Sequence, residues 1–518
     1  MKVKKLVATV AVFGAGFAAF STGSTVQAEP VSNSYVVVGS DTIEDVLNAL
    51  VNGTAITGAT VRVTQNGATL GSFDATGGPS IITRPGGVRF SRPNGSSEGF
   101  QALSASISTA AATQIFTSGT YQPVGVASVS KTAVANYWMA KSLRNVNIFG
   151  QVDIARSSSA TPASTTEDAT NGTIARIPFG RDAFGLAFTS TLATKVCDAG
   201  QDGDAGAGCT PYLTTAQLKT LFDGGFTVRK ITSIARTAGN AEVTIQASGA
   251  FAAYPVGSQI TIGASTGIPT ELVGEWTVTS GASPNTIAFT STGTTALSLA
   301  STGTGAALTG SQSLSSKLAT PLTIGTTSIA MKGIMPQQGS GTYNDFIKAT
   351  ATEPTLEAAN FAAGRIGYSQ EHDATGLTGD QVMPMSASRW IAMKNGASFN
   401  RAGTAVLGSI YTTTTLGYSP ANTVDSKLVP NSVYYYDTTW GRDTFLFVER
   451  ARVTSGNAKY DANLAALVDP TLNKLANIET TGASKAGKVK ELYGLLSPTV
   501  SAVSYFVAKP QSAVLDND

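Results

Sequence analysis

Apolar and polar positions along this chain follow two periods, and the change of period divides it. At 35–38 the apolar run Tyr35, Val36, Val37 and Val38 ends at Gly39-Ser40-Asp41-Thr42, after which Ile43, Val46, Leu47 and Leu50 share one helical face. That order predicts a strand, a tight turn and a capped helix. Related turns recur further on. Asn94-Gly95-Ser96-Ser97 opens onto a helix predicted over 100–107, and an apolar piece at 152–155 runs into Arg156-Ser157-Ser158-Ser159. A last apolar run ends at Pro336-Gln337-Gln338, before Gly339-Ser340-Gly341-Thr342 and a helix over 344–349. Residues 174–190 are apolar with Gly180, Arg181 and Asp182 in the middle, which predicts a strand pair or a crossing between two halves, with the two charges as a structural ion pair. Residues 213–222 read as a helix opened by a Thr cap; further helices are predicted at 355–363, 386–395, 464–478 and 488–496, and strands at 365–369, 432–436 and 444–450.

Between 226 and 315 the period falls to two. Val228, Ile231, Val243, Ile245, Ile260, Ile262, Trp276, Val278, Ile287 and Phe289 stand in short alternating runs between Gly, Ser, Thr and Asn clusters. This predicts an all-β, sandwich-like module inserted into an α/β chain.

Composition bounds the partners. With 42% hydrophobic residues the chain can bury sizeable cores, and only 13% are charged, against about 25% in ordinary domains. A net charge of +2 gives no case for nucleic acid. Lys2, Lys4 and Lys5 precede an apolar run at 6–20 and a small-residue stretch ending Val26-Gln27-Ala28, the pattern of a signal peptide over residues 1–28. The mature chain is thus expected to be secreted, periplasmic or at the cell surface. In that setting Cys197 and Cys209, which enclose an Asp/Gly/Ala loop, are expected to form a disulfide.

The candidate chemistry is binding. Glycines at 339 and 341 let backbone N–H groups turn to one point, and Ser340 and Thr342 add hydroxyls at a helix N-terminus, which is the construction of an anion cradle. The chain has one histidine, His372, between Glu371 and Asp373, and a surface or hinge role is expected for it. The G-x-S-x-G matches at 95–99 and 263–267 lack the strand-turn-helix setting of a nucleophile elbow. The G-x-x-x-x-G-K match at 482–488 has Val489 where a hydroxyl belongs. No enzyme activity, metal or cofactor is expected.

The series Gly39-Ser40-Asp41-Thr42, Asn94-Gly95-Ser96-Ser97, Ala155-Arg156-Ser157-Ser158, the LTTAQLKTLFDG segment at 213–224, and GSGT at 339–342 resembles, in that order, the phosphate-binding proteins of bacterial ABC transporters, and among them exported actinobacterial relatives. The resemblance implies an α/β, two-lobed periplasmic-binding-protein type 2 fold. Lobe one would take 29–180 plus 380–518, lobe two 181–225 plus 316–379, and the β module 226–315. It implies phosphate or a similar oxyanion as ligand and a transporter permease as partner. Carried over by position, Ser40, Asp41, Thr42, Ser96, Ser97, Arg156, Ser157, Ser158, Gly339, Ser340, Gly341 and Thr342 would surround the anion. The family's Arg before the GSGT loop is absent, so Arg156 or Arg92 is expected to supply the positive charge, and Asp41 to accept the ligand's proton. The alternative is the same scaffold reused as a surface, adhesive or structural protein, with a cell-surface partner bound through the insertion.

Overall fold

The computed structural model describes residues 35–508, except 53–69, 73–79, 94, 108–112, 116–144, 161–166, 203–207, 224–228, 248–255, 257–258, 263–266, 284–285, 301–307, 309–312, 317–319, 337–339, 353–356, 358–359, 362–364, 413–417, 473 and 482–485. The expected signal peptide, Gly339 and most of the expected 355–363 helix lie outside the described residues. Among the described residues no helix is long and apolar enough to cross a membrane.

The chain is a mixed α/β protein. Strand β1 (Tyr35–Gly39) leads to helix α1 (Glu44–Asn52), and helix α2 (Ser96–Ile107) leads, further on, to strand β2 (Ile154–Ser157), parallel to β1. Period two in β1 divides its side chains between two cores. Val37 joins Ile43, Val46, Leu47 and Leu50 of the α1 side, while Val36 and Val38 join Phe100 and Leu103 of α2. Residues 174–188 form one strand, β3 (Ile174–Phe188), rather than a strand pair. Its first half packs with the cores around β1. Its second half, through Phe184, Leu186 and Phe188, packs with Leu218, Leu221, Phe222, Met331, Met335, Phe346 and Trp440.

Helix α3 (Ser190–Asp198) follows β3, and α4 (Thr215–Asp223) follows a three-residue strand. After the module come β4 (Thr327–Pro336), α5 (Gly341–Thr350), β5 (Ile366–Ser369), β6 (Gln381–Ser386), α6 (Ala387–Lys394), β7 (Gly441–Glu449), α7 (Ala462–Val468) and α8 (Ala486–Leu492). The main sheet has twelve strands, and eight of them run in the order Thr320–Ile324, β4, β6, β3, β7, β2, β1, Leu70–Ser72, the other four pairing off this path. β4 is parallel to β5 and β6, as β1 is to β2, and the antiparallel pair β3 and β7 joins the two parallel sets. The turns at the carboxyl ends of both sets meet, which is where open α/β sheets place ligands.

Two expected elements differ. Residues 432–436 are not a strand: Ser432–Tyr435 is a short helix whose Asn431 cap accepts from Val433 N–H. Tyr434 and Tyr435 are both fully buried, which alternation in a one-faced strand would forbid. The helix expected over 464–478 stops at Val468, because Asp469 precedes Pro470 and is extended at ψ 119.

The inserted segment forms seven antiparallel strands between Arg229 and Ser316, packed on a core drawn entirely from positions 231–308. Arg229–Arg236 pairs both Glu242–Ala247 and Ser313–Ser316, so the ladder closes on itself into a barrel-like sandwich.

Cys197 at the end of α3 is bonded to Cys209, closing a loop of sequence separation 12. Replacing both by serine is expected to lower the unfolding free energy by about 2–3 kcal/mol, from the entropy returned to the unfolded loop. Urea unfolding of the two proteins checks this.

Candidate functional site

Five turns bring their polar groups together. Ser40, after β1, donates from Oγ to Ser158 Oγ at 3.2 Å and accepts from Thr42 N–H at 3.3 Å. Ser96, at the start of α2, has its Oγ 3.3 Å from Ser158 Oγ and accepts the Ser158 N–H at 3.0 Å. Gly341, the first residue of α5, lies against both hydroxyls: a Cβ there would stand 2.5 Å from Ser96 Oγ and closer still to Ser158 Oγ. A second glycine contact seats α2. Gly39, at φ +112, and Gly99 touch backbone to backbone, and a Cβ on Gly99 would lie 2.6 Å from Gly39 Cα.

Arg442 of β7 brings a positive charge to these turns. Its Nη2 donates to Thr342 Oγ1 at 2.8 Å and to Thr42 Oγ1 at 3.5 Å, and its Nε and Nη2 fork onto Asp182 Oδ2 at 3.1 and 2.9 Å. Nη1 has no hydrogen-bond partner among the described residues, and Asp345 Oδ2 is 3.8 Å from it. Asp345 in turn accepts from Ser159 Oγ at 3.2 Å. Arg181 and Asp182 do not pair with each other, because neighbours on a strand point to opposite faces. Gly180-Arg181-Asp182 and Gly441-Arg442-Asp443 are the same tripeptide on antiparallel strands in register, so each Arg meets the other strand's Asp.

Opposite Arg442 stand Asp41, Glu371 and His372, all buried. His372 is no surface residue; it sits at φ +63, an uncommon conformation for a side chain of its size. Ser386 N–H donates to its Nδ1 at 3.2 Å, so the hydrogen-bond network assigns the ring proton to Nε2. Nε2 faces Thr42 Oγ1 at 3.1 Å, Glu371 Oε1 at 3.3 Å and Asp41 Oδ1 at 3.5 Å. Asp41, Glu371 and His372 have ligand atoms close enough to hold a metal ion. A metal would need the Nε2 lone pair, with Nδ1 protonated against the Ser386 N–H, so the set fits a proton-sharing cluster instead. The same tautomer removes His372 as a base for any hydroxyl here.

Of the other expected residues, Ser340 caps α5, its Oγ accepting from Tyr343 N–H at 3.0 Å. Ser157 turns into its own loop, with its Oγ donating to Ser159 O at 2.8 Å. Ser97 is buried in the first turn of α2. The Arg156 guanidinium, expected beside the anion, donates to Gly39 O at 3.2 Å and pairs with Glu44 at 3.6 Å, because alternation along β2 turns it toward α1. Arg442, Glu371 and His372 complete the group without having been expected there, and the repeated Gly-Arg-Asp was the signal for the first of them.

Burial, with the Glu371 carboxylate beside it, pushes Asp41 up from an ordinary 3.8 to about 7. Burial holds His372 down at about 4. Asp41 therefore keeps a proton in the fold that the unfolded chain releases near pH 4, and stability falls as pH rises through that window. His372 acts oppositely, since only the unfolded ring is protonated between about 4 and 6.5, and stability rises with pH there. Asp41→Asn removes the first contribution. Its melting temperature relative to the parent should rise steadily from pH 4 to about 7 and then level off; a gap that stays constant across pH 4–8 would contradict the assignment.

No family model matches the chain, and no curated protein matches it. Among solved structures it is similar to a possible phosphate binding protein from Planctomyces limnophilus, at 9% identity and a TM-score of 0.30, over 90% of this chain and 98% of that one. It is also similar to phage phi92 endosialidase, at 17% identity and a TM-score of 0.14, over 20% of this chain and 14% of that one.

Proposed function

We propose that this protein captures phosphate or a similar oxyanion at the meeting of its two parallel strand sets, as a two-lobed binding protein whose lobes are joined by β3 and β7. One observation carries the reading: the hydroxyls of Ser96 and Ser158, the latter bonded to Ser40, crowd against the N-terminus of α5, and Arg442 is held at Thr342 of that same helix. Asp41 sets the selectivity. Above pH about 7 it is an ionised acceptor, which suits an anion that can donate a proton and repels one that cannot. In this proposal the chain is exported after loss of residues 1–28 and passes its ligand to a transporter permease.

Isothermal titration of the mature chain with phosphate, sulfate and molybdate tests the reading. Heat with phosphate and none with sulfate at pH 8 is expected. Absence of heat with all three would overturn it. A second reading, a scaffold displaying the β module to a cell-surface partner, has its own support in the module's self-contained core. It predicts that deleting residues 226–315 abolishes capture of cell-surface material while leaving the rest of the chain folded.

A further inference from the structure

The N-terminus of α5 already holds an anion, and it belongs to the protein. Glu371 Oε1 accepts the Thr342 N–H at 3.2 Å, one of the donors that a helix leaves unsatisfied in its first turn. The same oxygen accepts from Thr42 Oγ1 at 3.4 Å and lies 3.3 Å from His372 Nε2. Donors from the turn after β1, from α5 and from the turn after β5 thus converge on one carboxylate oxygen. Arg442, bound to Thr342 Oγ1, stands on the other side of that residue, its Nη1 without a hydrogen bond among the described residues and 3.8 Å from Asp345 Oδ2. Asp41, 2% exposed, likewise has no hydrogen bond on either oxygen among the described residues. The donors are committed to Glu371 while the groups around it are left incomplete.

We infer that Glu371 is the site's internal anion, an affinity-setting residue that an incoming oxyanion must displace from the α5 N-terminus. The inference rests on the oxyanion reading of this site. Two monoanions cannot share the Thr342 N–H in a buried setting, because like charges without water between them repel strongly. Displacement must therefore swing the Glu371-His372 turn, whose backbone is held in the left-handed region at His372. Glu371 competes with every anion alike, so it sets how tightly the site binds, while Asp41 sets which anion it prefers.

The test uses the full mature chain and its Glu371→Ala and Glu371→Gln variants. Titration with inorganic phosphate should give at least ten-fold tighter binding to Glu371→Ala than to the parent, with Glu371→Gln between them. Formate, a free carboxylate, should raise the melting temperature of Glu371→Ala and leave the parent unmoved. Phosphate binding that is equal or weaker in both variants would overturn the inference and leave the oxyanion reading standing. Formate stabilisation without phosphate heat in any of the proteins would do the reverse, keeping the carboxylate site and removing phosphate as its ligand. Neither response in any protein would remove both.

Discussion

Replacing Arg442 by methionine should lower the unfolding free energy by about 3–5 kcal/mol, the cost of leaving a buried carboxylate without its counter-charge. Asp182 is fully buried, and its Oδ2 receives both guanidinium hydrogen bonds while Oδ1 receives Ser386 Oγ at 2.9 Å and Ser388 N–H at 3.0 Å. The guanidinium also lies over the Phe184 ring at 4.4 Å, so a methionine keeps part of that packing and isolates the charge. Adding Asp182→Asn to Arg442→Met should restore most of the loss, because the amide oxygen still accepts from Ser388 N–H and no charge is stranded. Urea unfolding of the parent, the two single variants and the double variant gives the coupling directly. Additive losses would show that the pair is not a unit. Arg181→Met is the control: it breaks the sister pair with Asp443, destabilises by a similar mechanism and leaves Thr342 and its neighbours untouched.

Local patterns were legible in the sequence, and contacts between distant strands were not. Strand β1, its Gly39-Ser40 turn and the α5 cap follow from residues within a few positions of one another, which is the range that periodicity and capping read. The meeting of Ser40, Ser96, Ser158 and Gly341 depends on sheet order, which leaves no local trace. An arginine was expected beside the serines, and the one bonded at Thr342 is Arg442. Arg156 sits beside the serines in sequence, but strand alternation sends it to Glu44, whereas Arg442 reaches Thr342 from 100 positions away. The duplicated Gly-Arg-Asp could have supplied that link, since two identical Arg-Asp steps become mutually complementary only when their strands run antiparallel. His372 was misread because a lone histidine between two acids carries no periodicity, and its burial comes from the turn after β5 folding against β6.

Gly341→Ala should close the cradle. At an unconstrained helix N-terminus this change is neutral or gains up to about 1 kcal/mol from the lower backbone entropy of the unfolded chain. Here the new methyl would collide with the Ser96 and Ser158 hydroxyls, both fully buried and hydrogen-bonded to each other. Neither oxygen can move without losing its partner, and overpacking of this kind costs about 1–3 kcal/mol. The sign of the stability change therefore decides whether α5 is seated against the serines. A loss places the helix where the hydroxyls meet it; a gain would mean that the two are apart in solution. Ser158→Ala added to Gly341→Ala should recover part of the stability, because the methyl then has room. Under the proposed function it should not recover phosphate binding, which would need the Ser158 hydroxyl and the open approach to the α5 N–H groups together. Thermal unfolding and phosphate titration on the same three proteins separate packing from recognition, since only recognition requires the oxygen that the double variant lacks.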